Sequence, residues 1–591
     1  MIRRAKIKPI SLERGIDFMR IALSVLAITL TLGTAAAQMT PDQRAHDFQN
    51  LAALYAKRYA PAEWKKYALG FDLLNLTPWL SRIRAASSDL EYYEICQEYV
   101  ASLDDGHSGY SAASFGFNAN LGFSVDIYDG KVLIDQINRQ FLPAAEFPFQ
   151  VGDELVSLDG RSAEEWIQHF AKRIALGNPA TTRRYAADRI TFRPQAQVPR
   201  AVELGDTAQV VIRRASGEEQ TIALRWVKQG VPFLQAGPVP AVKTSVERSA
   251  FGEPAEIRPF QAPDSLLFQG TTWNEETGSE EPRRFVLGWG ARNPVFAGGL
   301  PPSFQLRLGR NPIDFHYSGT FTAGGLRIGY LRIPSFSPPL LIALRELDGE
   351  IAFLEQNTDG LIVDVMRNPG GGCYLHDAAS RLIPYRFTGF AQQIRPTINF
   401  MNSFATLPLA LRAQRADEWI IALVDSYVAQ MRTAYREGGL TGPIPVCTQT
   451  GALIGASFES DPAPVVYTKP LIVLTDEFSV SAADIFPSII QDNRRGPIVG
   501  MRTAGMGGLS EGWSAGFYSE ATAGNTLTLV TRPRYISTAD YPSAPYLENI
   551  GVRPDIDVNY MTRENLLNSG RPFVERISGI IVDHIRNSRP R

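Results

Sequence analysis

The stretch Leu471-Ile472-Val473-Leu474-Thr475-Asp476-Glu477-Phe478-Ser479-Val480-Ser481-Ala482-Ala483 runs from an apolar strand into a turn of small residues. A helical pattern follows over residues 484–492, and Pro487 is predicted in its first turn, where a missing N–H has no intrahelical partner to lose. Such a turn places a serine hydroxyl beside the first N–H groups of a helix, which suits acyl-transfer chemistry. A serine before a helix also serves as an N-cap, so this segment alone leaves both interpretations open.

A second loop, Arg367-Asn368-Pro369-Gly370-Gly371-Gly372, follows the buried strand pattern at 361–365. Glycines leave backbone N–H groups accessible to a ligand, as an oxyanion site requires, although a tight structural turn explains them equally well. Both loops are predicted at the carboxyl ends of core strands, where open α/β sheets place their sites. The pair therefore indicates a functional site better than either loop alone.

Alternating strand and helix patterns predict an α/β core over residues 318–560. A strand at 328–333 precedes a helix with apolar residues at 340, 344, 347, 351 and 354. We expect an insertion at 386–468 with one long helix from about 407 to 437, and a C-terminal helix in 561–591.

The N-terminus has the layout of a secretory signal. Basic residues precede an apolar run at 21–32, and Ala35-Ala36-Ala37 follows, so residues 1–37 are predicted to be removed after Ala37. A membrane anchor is the alternative, but the run is shorter than the ~20 residues that span a bilayer. We therefore expect a periplasmic or secreted protein without an integral membrane segment after signal removal.

Residues 38–116 show helical periodicity and predict a small N-terminal helical domain, whereas residues 117–228 change to strand patterns. Asn120-Leu121-Gly122-Phe123 resembles the carboxylate-binding loop of a PDZ domain, and the segment 151–160 resembles its Gly-Asp turn and following strand. A plain β-hairpin is the alternative. The resemblance implies that Leu121, Gly122 and Phe123 bind substrate, by capture of a peptide tail. Residues 229–317, rich in Pro and Gly, predict an irregular β connector.

The composition limits the kinds of partner, metal and cofactor that we expect this protein to bind. The 591 residues carry a net charge of −2 with mixed signs throughout, which gives no reason to expect nucleic acid as a partner. The three cysteines, Cys96, Cys373 and Cys447, allow at most one bridge. No Cys/His cluster has metal-ligand spacing, and we expect neither a metal nor a cofactor.

Three segments together resemble the C-terminal processing and tricorn-core family of serine peptidases: the strand that ends in Arg367 to Gly371, the Ser479 to Asp484 turn, and Gly500-Met501-Arg502-Thr503-Ala504-Gly505. The resemblance covers about residues 318–560 and implies a crotonase-like α/β core. It also implies that Ser481 is the nucleophile, that Ala482 and either Gly370 or Gly371 donate to the oxyanion, and that Ser479 is structural.

The general base departs from the processing-peptidase branch. Met506 stands where that branch has a catalytic lysine, and Lys469 is the last lysine of the chain. The tricorn-like branch implies His107 as base and Glu548 as its carboxylate partner. Gly106 precedes His107, where the tricorn pattern has a serine. His376, close to the glycine loop, is the alternative base.

These residues predict an exported serine peptidase that cleaves peptide bonds through an acyl-enzyme on Ser481. The missing lysine motivates a second hypothesis, a non-catalytic peptide or small-ligand binding protein that keeps the peptidase fold. An esterase with the same site is a third, because both chemistries share the acyl-enzyme. The sequence does not indicate an oligomeric state.

Overall fold

The structure is a computed structural model that describes residues 38–112, 115–236, 299–309, 311, 314–447 and 457–588, with the backbone of 271–274 and 279–282. The predicted signal segment, residues 1–37, and most of the predicted connector therefore lie outside the described residues.

The N-terminal region is helical, as its periodicity predicts. The elements are α1 (Pro41–Arg58), α2 (Ala62–Leu69), α3 (Thr77–Ala85), α4 (Asp89–Ala101) and strand β1 (Gly109–Ala112). Helix α1 begins with a capping box between Thr40 and Gln43 and with Pro41 in its first turn. The apolar faces of α1 and α4 meet around Phe48 and Tyr99, whose rings contact edge to face. This region carries the loop with His107 between α4 and β1.

The next region is a β-rich domain with two helices. Its elements are β2 (Phe115–Asn120), β3 (Phe123–Tyr128), β4 (Lys131–Ile137), β5 (Glu154–Leu158), β6 (Arg161–Ser162), α5 (Ala163–Ala171), α6 (Pro179–Thr191), β7 (Phe192–Pro194), β8 (Thr207–Arg213), β9 (Glu219–Arg225) and β10 (Val227–Val231). In the described part of the chain β3-β4-β5-β8-β9 form one sheet, with β6 paired to β5, and β10-β2-β7 form another. Strand β3 lies at the edge of its sheet, beside α6.

Little of the predicted connector is described. Backbone positions give the hairpin β11 (Thr271–Asn274) and β12 (Ser279–Pro282). The core then begins with β13 (Gln305–Leu308), β14 (Tyr317–Ala323), β15 (Leu326–Arg332), α7 (Leu340–Asn357) and β16 (Gly360–Asp364). Strands β15 and β16 are parallel, and α7 makes the crossover between them. The predicted strand–helix–strand unit is thus present.

The insertion follows the glycine loop. Helix α8 (Tyr374–Ser380) lies between them, and the elements within residues 386–468 are β17 (Phe387–Thr388), β18 (Ala391–Ile394), α9 (Ile398–Ala405), α10 (Leu407–Ala413), α11 (Glu418–Glu437), β19 (Ile444–Pro445) and β20 (Glu459–Ser460). The prediction of one helix from 407 to 437 is wrong, because the segment breaks between α10 and α11. Arg415 in the break has a φ of 57°, a left-handed value that no helix interior adopts. A disulfide joins Cys373 to Cys447, and Cys96 is a buried free thiol.

The core resumes with β21 (Leu471–Thr475), α12 (Ala482–Asp492) and β22 (Ile498–Gly500). All five residues of β21 are buried, since the strand is central in its sheet. Helix α12 begins two residues before the predicted start, so Pro487 lies inside the helix and not in its first turn. Its ring removes one intrahelical hydrogen bond.

The chain ends with β23 (Ser510–Ser514), β24 (Ala521–Thr526), β25 (Thr528–Ile536), β26 (Ala544–Tyr546), β27 (Ile556–Asp557), α13 (Arg563–Leu567) and α14 (Arg571–Ser588). Within the described ranges the central sheet has the order β13-β14-β15-β16-β21-β22-β27 and is parallel from β15 onward. The predicted α/β class is therefore confirmed. The loops after β16, β21 and β22 all leave the same edge of this sheet.

Candidate active site

Ser481 occupies a sharp turn between β21 and α12. Its φ of 59° and ψ of −117° are unusual for a residue with a side chain. Such backbone strain costs on the order of 1–3 kcal/mol and persists at functional sites because the surroundings enforce it. Val480 and Ala482 are almost fully buried, whereas Ser481 is partly exposed. The turn thus presents one serine at the mouth of the sheet, as nucleophile turns in hydrolases do.

The side chain of Asp484 holds this turn in place through hydrogen bonds with backbone N–H groups. Its Oδ2 accepts hydrogen bonds from the backbone N–H groups of Ser481 (3.1 Å) and Met506 (3.1 Å). Its Oδ1 accepts from the N–H of Gly505 at 2.9 Å. Burial raises the pKa of Asp484 to about 7, although these hydrogen bonds act in the opposite direction. One side chain therefore fixes the loop after β22 to the nucleophile turn.

The glycine loop packs directly on Ser481. A Cβ on Gly370, whose φ is 93°, would lie 2.6 Å from the Ser481 Cβ and 2.7 Å from the Val480 carbonyl oxygen. A Cβ on Gly371 would lie 2.3 Å from the backbone of Phe336. Only glycine fits at these two positions, so the loop is not an ordinary surface turn.

The backbone N–H groups of the two loops differ in whether they already donate a hydrogen bond. The N–H of Gly370 donates to the Asn368 side chain at 2.8 Å, so this group is occupied. The N–H groups of Gly371 and Ala482 meet no acceptor in the described part of the chain. Ala482 follows Ser481 directly in the chain, and Gly371 follows the glycine that packs on Ser481. Of the two predicted glycine donors, Gly371 is thus the one whose N–H group has no acceptor among the described residues.

His107 lies on the loop before β1 and is 5% exposed. Its N–H donates to Asp105 Oδ1 at 2.8 Å, and Asp105 Oδ2 accepts from Ser108 (3.0 Å) and Thr526 (2.8 Å). Met506 links this loop to the nucleophile: its carbonyl accepts from the Ser481 N–H at 2.9 Å, and its thioether lies against Gly106. The structure therefore brings the His107 loop beside the Ser481 turn.

Glu548 is buried under the same loop. Its Oε1 accepts from Lys65 Nζ at 2.5 Å, and its Oε2 has no hydrogen-bond partner among the described residues. Burial, and to a lesser extent the charge of Asp105, raise the pKa of Glu548 to about 8, although Lys65 acts in the opposite direction. Its carbonyl accepts from the Trp64 indole at 3.1 Å. Lys65 is thus a direct partner of Glu548 that the sequence analysis missed.

The other predicted residues have separate surroundings. His376 is 1% exposed, its Nε2 lies 2.8 Å from the Ser460 hydroxyl, and burial lowers its pKa to about 4. These contacts attach it to the insertion and do not support its role as the base. Ser479 is fully buried and donates to the Val365 carbonyl at 2.9 Å, a structural contact.

In the loop that resembles a carboxylate-binding loop, two backbone N–H groups already donate hydrogen bonds within the domain. The N–H of Leu121 donates to the carbonyl of Thr191, at the end of α6, at 3.1 Å. The N–H of Gly122 donates to the Asn120 side chain at 2.6 Å. The side chains of Leu121 and Phe123 are buried in the domain core. A carboxylate would have to displace these acceptors to bind here.

Two further observations concern metals and membranes. Within the described ranges no group of His, Cys, Asp and Glu side chains has the geometry of a metal site. Among the same residues, none of the helices combines the length and the apolar character needed to cross a bilayer.

Two residues of this site escaped the sequence analysis. Asp484 stands three residues after Ser481, at capping-box spacing, so its role could have been inferred from the sequence. Lys65 carries no such signal, because it shares a short helix with the exposed Lys66 and only the tertiary packing distinguishes them.

A serine in a strained strand-to-helix turn, packed against a glycine loop and next to a buried histidine loop, is typical of the serine hydrolases that form an acyl-enzyme. Comparison with known proteins gives the same class. Residues 327–558 match peptidase family S41 and residues 117–230 match a PDZ domain. The chain is thus a serine-type peptidase with an S41 peptidase domain and a PDZ domain.

Individual relatives agree with this assignment. A Chlamydia pneumoniae protein is 26% identical over 94% of this chain and 93% of its own length. The chloroplastic carboxyl-terminal-processing peptidase 3 of Arabidopsis thaliana is 32% identical over 19% of this chain and 21% of its own length. The structure of mature CPAF complexed with lactacystin superimposes with a TM-score of 0.69 at 22% identity, covering 93% of this chain and 99% of CPAF. The overall fold is therefore shared with CPAF.

Proposed function

We propose that this protein cleaves peptide bonds by nucleophilic attack of Ser481, with His107 as the general base and Glu548 as the carboxylate that supports it. The observation that carries the proposal is the packing of three loops on one serine: the glycine loop contacts Ser481 directly, and Met506 joins the His107 loop to its backbone. Asp484 fixes the third loop and the serine turn together.

The proposed reaction has two halves. His107 takes the hydroxyl proton as Ser481 Oγ attacks the scissile carbonyl, and the N–H groups of Gly371 and Ala482 stabilise the resulting oxyanion. His107 then returns the proton to the leaving amine, which leaves an acyl ester on Ser481. Water, activated by the same imidazole, hydrolyses this ester and restores the serine.

Labelling with a fluorophosphonate tests the proposal, because the probe reacts with an activated serine and releases fluoride. Mass spectrometry of wild-type protein should locate the modification on Ser481. Ser481→Ala and His107→Ala should both lose labelling while they remain folded by circular dichroism. His376→Ala is the matched histidine control, and it should be labelled at the wild-type rate.

Each result separates the hypotheses. Labelling that persists in His107→Ala and disappears in His376→Ala would show that His376, and not His107, is the general base. A folded wild-type protein that neither reacts with the probe nor cleaves a casein or peptide-library substrate would contradict the proposed mechanism.

The PDZ domain supports a peptide or protein as the substrate. Recognition of a carboxyl-terminal tail is the finer proposal, and it requires Leu121 and Gly122 to release the acceptors that they now contact. Peptide pairs that differ only in a free or amidated C-terminus test it. A lower KM for the free carboxylate would support tail recognition, and equal values would contradict it.

We also propose that the protein is exported. The signal-like layout of residues 1–37 and the disulfide between Cys373 and Cys447 support this proposal, because disulfides persist in oxidising compartments. Cell fractionation with determination of the mature N-terminus tests it. A cytoplasmic chain that keeps residues 1–37 would contradict export.

A further inference from the structure

Lys65 on helix α2 is a fully buried lysine at the centre of the proposed site. Its Nζ donates to Glu548 Oε1 at 2.5 Å, to Asn549 Oδ1 at 2.6 Å and to the carbonyl of Asp104 at 2.9 Å. The exposed fraction of its side chain is 0%, and that of Glu548 is 1%. An ammonium group has three donors, and all three are used.

These three contacts join separate parts of the chain. Asp104 lies on the loop that carries His107, and the Asn549 amide donates to the same Asp104 carbonyl at 2.9 Å. Asn549 also connects to the nucleophile side of the site, because its N–H donates to the Gly505 carbonyl at 2.8 Å. Lys65 therefore lies where the histidine loop, the glutamate and the loop after β22 meet.

The charges around Glu548 show what the ammonium does there. Asp104 and Asp105 face the glutamate from the loop, Tyr59 faces it from the end of α1, and Lys65 faces it from α2, whereas His107 faces Asp105. Burial raises the pKa of the Asp105 carboxyl, but Lys65 and His107 together with its hydrogen bonds bring that pKa below its usual value. Lys65 is thus the cation that the two buried carboxylates, Asp105 and Glu548, share.

We propose that Lys65 is a positioning residue of the peptidase: its ammonium favours the carboxylate form of Glu548 and fixes that carboxylate to the loop carrying His107. This inference rests on the proposed function, in which Glu548 stabilises the imidazolium that forms when Ser481 loses its proton. Without the ammonium, Glu548 has an uncompensated burial cost and retains its proton to higher pH. A neutral glutamic acid gives the imidazolium less support.

The predicted signature is a shift in pH dependence. In Lys65→Met the rise of kcat/KM with pH should move to more alkaline pH by at least one unit, because the pKa of Glu548 rises when its cation is removed. At pH 7 this corresponds to a loss of about tenfold or more. Lys65→Gln, which keeps amide donors but has no charge, should show the same shift.

Lys66→Met is the matched control, since Lys66 is the next residue of the same helix and its side chain is 70% exposed. It should reproduce the wild-type pH profile. In the Glu548→Gln background, which has no carboxyl group at this position, Lys65→Met should no longer cause the alkaline shift. The pH profiles of Glu548→Gln and of the double variant should therefore be nearly the same. Circular dichroism and thermal melting establish which variants are folded.

Several outcomes would overturn the inference. Folded Lys65→Met or Lys65→Gln with the wild-type pH profile would show that the lysine has only a structural role. If Lys65→Met does not fold, the profile of Lys65→Gln decides between the two roles. A folded wild-type protein that neither reacts with fluorophosphonate nor cleaves a peptide substrate would instead refute the proposed function itself, and this result is obtained before any Lys65 variant is made.

Discussion

Gly106→Ala tests the packing that joins the histidine loop to the nucleophile. An alanine Cβ would lie 1.5 Å from Met506 Sδ, 2.8 Å from its Cε and 3.0 Å from its Cγ. Sδ would have to retreat by about 2 Å to reach an ordinary van der Waals separation. Gly106 does not have a positive φ, so backbone strain adds nothing to the cost of the substitution.

Met506 has little room to retreat. Its side chain is 0% exposed and packs with Leu176, Tyr185, Phe478, Val480 and Ala504. Its backbone is fixed at both ends, because its N–H donates to Asp484 and its carbonyl accepts from Ser481. We therefore expect overpacking to lower the free energy of unfolding by about 1–3 kcal/mol. We also expect slower labelling of Ser481, since either the His107 loop or the nucleophile turn must move.

The assay combines urea denaturation with the rate of fluorophosphonate labelling. Gly372→Ala is the matched control: a Cβ there meets no atom within 4 Å, and it should change neither quantity. Met506→Ala removes the three clashing atoms, so in the double variant the two substitutions should couple favourably by about 0.5–3 kcal/mol. Strictly additive free energies, with labelling no faster in the double variant than in Gly106→Ala, would refute the reasoning.

Two other perturbations follow from the structure. Cys447→Ser removes the disulfide between Cys373 and Cys447, which are 74 residues apart in sequence. The loss should lower the free energy of unfolding by about 4 kcal/mol. Dithiothreitol should lower the melting temperature of the wild type and of Cys96→Ala but not of Cys447→Ser, and an unchanged wild type would contradict the bridge. Asp484 has a pKa of about 7 in the folded protein and 3.8 as its ordinary value, so the folded state binds its proton more tightly. The contribution of this proton to stability is complete below pH 3.8 and falls as the pH rises to about 7. Asp484→Asn has no such proton to lose, so its free energy of unfolding, measured by urea titration, should fall less between pH 4 and 8 than that of the wild type. Equal falls in both proteins would contradict the raised pKa.

The sequence could predict the features that depend on neighbouring residues. The strand, the small-residue turn and the helix around Ser481 are local, and so are the glycines after β16. The parallel core followed from the alternation of buried strands and amphipathic helices. The insertion helix was mispredicted because residues 412–418 contain neither Gly nor Pro, the usual signals of a helix end, and the break is made by the left-handed backbone of Arg415.

Long-range contacts decided what the sequence could not show. Gly106 and Met506 lie 400 positions apart, and although the sequence marks each as a departure from a family pattern, only the structure shows that the thioether lies against the glycine. The burial of Lys65, but not Lys66, depends on how α2 lies over Glu548. The same limit applies to the cysteines, since no local pattern distinguishes Cys447 from Cys96 as the partner of Cys373.

The position of the missing lysine explains why this site needs a different base. Met506 contacts apolar side chains on one side and Gly106 on the other, so an ammonium there would be desolvated in an apolar cluster. The thioether instead fills the space beside Gly106 that a serine side chain would need, which accounts for both departures from the family patterns with one contact. Lys65 supplies a cation elsewhere in the site. Its ammonium contacts the Glu548 carboxylate. A lysine whose ammonium already donates to Glu548, Asn549 and Asp104 is not available as the base for Ser481, which is why the proposed function assigns the proton transfer to His107.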